Sequence, residues 1–143
     1  MQHLCVYMFD TCSKLANLNG LTDWNVSNVT TMRNMFDNCY TLANINGLTN
    51  WNVGNVNDMQ YMFSKCSSFV NVDELADWDV SSVTNMSMMF YSCRKLTDTT
   101  GINAWDIGQV TNFSSMFNSC PSHPEFTKRP GTWDSNGTFI PSA

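Results

Sequence analysis

Cys12, Cys39, Cys66, Cys93 and Cys120 recur every 27 residues, each closing the pattern Met-Phe-x-x-Cys. Thiols repeated in this way can ligate a metal, form a ladder of disulfides, act as nucleophiles or simply pack. Structural zinc calls for four ligands at close paired spacing, commonly Cys-x-x-Cys. Here one cysteine serves each 27 residues, and the chain holds only two histidines. Cys120-Pro-Ser-His123 has the local spacing of a metal pair or a Cys–His nucleophile, but no second pair and no group to orient His123 accompanies it. Stacked coils about 4.8 Å apart would bring successive cysteines within disulfide reach. Five stacked positions cannot all pair, however, and a thiol on an apolar stripe packs as a small hydrophobe. The pattern favours inert core thiols, with disulfides as the alternative, and implies neither a bound metal nor a cofactor.

Two polar rows carry the same register. Asn17, Asn44, Asn71 and Asp98 form one; Asn25, Asn52, Asp79 and Asp106 form the other. Stacked oxygen atoms suit calcium, whereas the simpler reading has each side chain closing a backbone turn. Trp24, Trp51, Trp78 and Trp105 are read as a packing ladder rather than a row of sugar platforms, and the methionines as core rather than a binding groove. Asn-x-Ser/Thr acceptors at Asn25, Asn28, Asn85, Asn112 and Asn136 matter only in a glycosylating secretory pathway.

The elements that must position these residues follow from the repeat. Met32, Met35, Phe36 and Cys39 stand at i, i+3, i+4 and i+7, which predicts a short helix with one apolar stripe. The same stripe recurs in the following units and begins with Cys5, Met8, Phe9 and Cys12. Thr30, Asn57, Thr84 and Thr111 lie just upstream, where they would cap such helices. The runs Leu42 to Leu48 and Trp51 to Val56 suit short strands pairing from coil to coil, with Gly20, Gly47 and Gly101 allowing the bend between them. Glu74 departs from that glycine. The expected fold class is an α/β repeat solenoid of 27-residue strand–turn–short-helix units, curved because its two sides differ in width.

Residues 1–120 are read as this array, a leading half-unit plus four units, and residues 121–143 as a C-terminal cap. All four prolines fall in the cap, and Trp133 lies 28 residues after Trp105, one out of register. Because the N-terminus starts inside a repeat, the chain is expected to be a mature or excised piece. Its 143 residues are 43% hydrophobic and only 13% charged, an ordered composition. A net charge of −5 and the lack of any basic cluster argue against nucleic acid. No apolar run approaches the length needed for membrane insertion.

Where the units disagree, solvent-facing contacts are expected. Arg33 and Gln60 share one such position, Tyr40 and Arg94 another, and Asp37 and Tyr91 a third. Asn19, Asn46 and Asp73 mark a second candidate face. Together these nine are the candidate ligand-binding residues; no catalytic set of acid, base and nucleophile is present.

The unit from Trp78 to Leu96, Trp-Asp-Val-x-x-Val-Thr-x-Met-x-x-Met-Phe-x-x-Cys-x-x-Leu, resembles those of the BspA-like leucine-rich-repeat surface proteins, over roughly residues 5–120. The resemblance implies a leucine-rich-repeat array, secreted or exposed on a cell or virion surface, that recognises a protein or glycan receptor on a host or neighbouring cell. The expected function is therefore non-enzymatic adhesion or recognition. The alternative is a structural spacer or self-stacking shaft or fibre, including a phage or viral receptor-binding fibre, formed by end-to-end self-association.

Overall fold

A computed structural model describes residues 5–142. The first four residues of the expected array and the last residue of the expected cap lie outside the described part. Each Met-x-x-Met-Phe-x-x-Cys stretch is a pair of four-residue turns in tandem. In the second coil Met35 N–H bonds Met32 O and Cys39 N–H bonds Phe36 O, both at 3.2 Å. The third residue of each turn, Asn34 and Asn38, has a left-handed φ of 57° and 64°. Tyr61 and Lys65, Met88 and Ser92, and Ser115 and Ser119 repeat that geometry.

This overturns the expected α/β solenoid of strand–turn–helix units. Among the described residues there is no α-helix, only three-residue 3-10 turns at Asn19–Leu21, Asn46–Leu48, Asp73–Leu75 and Thr100–Ile102. A left-handed residue every fourth place interrupts the right-handed run that a helix requires. The spacing misled because tandem turns and a helix share a signature. The corners of two successive turns fall at i, i+3, i+4 and i+7, so Met32, Met35, Phe36 and Cys39 are all fully buried without a helix.

Alternate N–H groups in these turns point along the stack. Met32, Asn34, Phe36 and Asn38 donate to the carbonyls of Asp58, Gln60, Met62 and Ser64, 2.7–3.0 Å away in the next coil. The expected caps serve the stack too: Asn57 N–H bonds Thr30 O, and Thr84 N–H bonds Asn57 O. The expected strands shrink to isolated parallel bridges, Asn17–Asn44, Asn71–Asp98 and the series Thr31–Asp58–Asn85–Asn112. The run Leu42 to Leu48 does not extend as a strand, because it closes into the 3-10 turn at Asn46–Leu48.

The core is a set of side-chain ladders. Phe9, Phe36, Phe63, Phe90 and Phe117 stack with ring centroids 5.0–5.6 Å apart. Trp51, Trp78 and Trp105 are buried, and each indole N–H donates to a carbonyl one coil back (Leu21, Leu48 and Leu75) at 2.8–2.9 Å. Burying an aromatic with its one donor satisfied keeps its full apolar contribution.

The named strands, β1 (Gly131–Trp133) and β2 (Phe139–Pro141), form an antiparallel pair in the proline-bearing C-terminal segment, with Pro141 opposite Gly131. The turn between them meets the last coil. Phe117 N–H, whose counterparts bond the next coil, bonds Gly137 O at 3.0 Å, and Ser115 N–H bonds Thr138 Oγ1 at 2.8 Å. Gly137 has φ +71°, and a Cβ there would lie 2.3 Å from Asn118 N, so only glycine fits. Trp133 meets Phe117 edge-on at 5.3 Å, and Arg129 donates to the Ile107 and Val110 carbonyls.

Candidate functional site

The repeated polar residues are committed to the backbone. Asn17, Asn44, Asn71 and Asp98 each accept from the N–H two residues on, at 2.8–3.1 Å. Asn25, Asn52, Asp79 and Asp106 do the same. A third row, unnoticed in the sequence, does so through Asp58, Asn85 and Asn112. The Ser81 and Thr100 hydroxyls hold the Asp79 and Asp98 carboxyls below their ordinary range. Among the described residues no group of three or more His, Cys, Asp or Glu is arranged to hold a metal ion.

All the cysteines are free thiols. Cys39, Cys66, Cys93 and Cys120 each donate to a phenylalanine carbonyl one coil back, at 2.9–3.1 Å. Burial pushes the Cys39 thiol up to about 11, and raises Cys66 and Cys93 as well. Interaction with the neighbouring Cys93 thiol holds Cys120 below its ordinary value. Cys120 and His123 serve different partners: His123 Nδ1 faces the Glu125 carboxylate at 3.5 Å, and its ring stacks on Trp133.

The variable positions fall in different surroundings. Arg33 is tied to Asp58 by bonds of 3.0 and 3.1 Å, beside Gln60. Asp37 is half-buried against the Asn34 amide, and burial raises its carboxyl. Ser64 and Ser87, at the Asp37 and Arg33 positions of later coils, are buried. Asn19, Asn46 and Asp73 are exposed and begin 3-10 turns on another part of the coil.

Three of the nine converge. Tyr40, Tyr91 and Arg94 line one hollow of about 330 Å³ with Asn38, Lys65, Ser67 and Ser92. The register explains the hollow: Tyr40, Ser67 and Arg94 occupy one position in three successive coils, so a small residue sits between two large ones. Asn38, Lys65 and Ser92 occupy another, and all three are left-handed. Lys65 is not among the nine sequence candidates; the signal that could have found it was the change from Asn to Lys to Ser along its row. Among the described residues neither Lys65 nor Arg94 forms a salt bridge, whereas Arg33 does. The hollow thus brings two cations, neither in a salt bridge, together with two tyrosines in a chain of net charge −5; Lys65 also acts through space on the Asp37 carboxylate. Such a site can hold an anionic group and stack a flat or ring-shaped face.

Turn-built coils in strict register, with a uniform core and a varied rim, define a tandem-repeat protein. A family model described as "Mycoplasma protein of unknown function, DUF285" matches residues 4–135, and the chain belongs to that family. No curated protein and no solved structure matches it.

Proposed function

We propose that this protein is a non-enzymatic recognition module that binds an acidic glycan on another surface through the Tyr40–Lys65–Tyr91–Arg94 hollow. The observation that carries this reading is the pair of cations in no salt bridge, sharing one hollow with two tyrosines, on an otherwise acidic chain. Carboxylate, sulfate or phosphate groups would meet Lys65 and Arg94, and the tyrosine rings would cover sugar faces. The resemblance of the repeat unit to the BspA-like surface proteins supports placement on a cell or virion surface or secretion, and a role in adhesion.

The alternative, a self-stacking shaft, finds less support. The N–H groups of Ser115 and Phe117, which would extend the ladder into another copy, are taken by Thr138 and Gly137. Screening on an array of sulfated, sialylated and neutral glycans tests the proposal. Selective retention on acidic glycans over neutral ones that lack N-acetyl groups is the expected result; equal retention on those neutral ones, or none at all, would sink it.

A further inference from the structure

The coil-to-coil ladder lapses at one place on the 3-10 side. Ala43 and Asn44 N–H both bond Ala16 O, at 3.0 and 3.3 Å, and Thr97 and Asp98 N–H both bond Val70 O at 3.1 Å. The intervening pair, Val70 and Asn71 N–H to Ala43 O, is missing among the described residues, as is the Asn44–Asn71 bridge. Glu74 accounts for the lapse. It occupies the position of Gly20, Gly47 and Gly101. A Cβ on Gly47 would lie 1.8 Å from Leu18 O, and one on Gly101 2.9 Å from Asp73 Cα. By the same register the Glu74 Cβ would strike Ile45 O at ordinary coil spacing, so the second and third coils part here. Phe69, larger than the leucines at Leu42 and Leu96, adds to the wedge. A crevice of about 200 Å³ results, lined by Ala43, Asn44, Asn46, Phe69, Val70, Asn71 and Glu74 among others.

We infer that this crevice binds the acetamido group of an N-acetylated amino sugar. Among the described residues the gap leaves the Ala43 carbonyl and the Val70 and Asn71 N–H groups, which the register sets opposite one another, without backbone partners, the complement of a single secondary amide. It is too short for an extended peptide, because the coils are tied again at Ser68 Oγ–Tyr40 O on one side and Trp78 Nε1–Leu48 O on the other. An acetamido N–H would donate to Ala43 O, its carbonyl would accept from Val70 or Asn71, and its methyl would meet Val70, which is 50% exposed. The Glu74 carboxylate and the Asn44, Asn46 and Asn71 side chains supply acceptors and amide donors suited to ring hydroxyls. This inference does not depend on the reading of the Tyr40 hollow.

The test is a titration followed by the backbone amide resonances of Val70 and Asn71. The probes are methyl N-acetylglucosaminide, the matching methyl glucoside without acetamide, and N-acetylalanine N-methylamide as a peptide mimic. Saturable shifts are expected with the first probe alone. Glu74→Gly, alone or with Phe69→Leu, should close the crevice, protect the Val70 amide from exchange and weaken binding at least about tenfold, the worth of two net hydrogen bonds. Arg94→Ala should leave this binding unchanged. Equal shifts with the glucoside, preference for the peptide mimic, no saturable shift with any probe, or full binding in a variant whose Val70 amide is protected would each overturn the inference.

Discussion

Lys65 offers a sharp test of the turn-built coil. Its φ is 62°, its side chain is exposed, and its N–H bonds Tyr91 O at 2.6 Å. A non-glycine residue in the left-handed region costs about 1–2 kcal/mol. Replacing it with glycine removes that strain and adds back about 0.5–1 kcal/mol of chain entropy. Lys65→Gly should therefore stabilise the fold by about 0.5–1 kcal/mol, because no buried packing is lost and the Tyr91 bond needs only the backbone. Lys95→Gly is the control. That residue is also exposed but outside the left-handed set, so it should lose about 0.5–1 kcal/mol. Lys65→Val should be worse than either, since a β-branched side chain tolerates this conformation poorly. Urea unfolding at constant pH measures all three, and a change of 1 kcal/mol corresponds to about 2–4 °C in a parallel melt. The sign decides: if Lys65→Gly destabilises as Lys95→Gly does, the left-handed row is wrong and a helix regains its claim.

Gly137→Ala should destabilise by more than about 1–2 kcal/mol, since it adds a left-handed penalty to a clash with Asn118; urea unfolding would show it. Trp78→Phe should cost about 1–3 kcal/mol, because the buried Leu48 carbonyl loses its indole donor, and a thermal melt beside a Trp24→Phe control measures the difference. In the folded protein Cys39, Cys66 and Cys93 should resist a thiol reagent until urea is added, with mass mapping of the labelled sites as the readout. Burial raises these thiols, so their contribution to stability is complete below the unfolded value near about 8.5. It should then be lost as pH rises toward about 11, and unfolding curves across that window check the direction.

Periodicity made the 27-residue register and the buried face plain before any coordinates. Met35, Phe36 and Cys39 point inward as their spacing implied, and the Asn and Asp rows close turns, the simpler of the two readings. The backbone carrying that face was not legible, because the corners of paired turns mimic the helical stripe and Asn34 and Asn38 share their left-handed places with Tyr61, Lys65 and Met88 rather than with glycine. For the site, variation between units pointed to Tyr40, Tyr91 and Arg94, while their meeting with Lys65 depended on which residues share a row across coils. Variation also marked Arg33, but nothing in its type revealed that Asp58 one coil on would neutralise it. Glu74 was visible as a break in the glycine row; its consequence required knowing how closely the backbones approach there.

The account stands most directly on calorimetric titration of the protein with a sulfated oligosaccharide free of N-acetyl groups and with its desulfated counterpart. Saturable binding of the sulfated sugar alone is predicted, weakening as salt is raised. It should be lost in the Lys65→Ala/Arg94→Ala double variant and unchanged in Arg33→Ala. Binding that survives the double variant, or that does not distinguish the two sugars, would contradict the account.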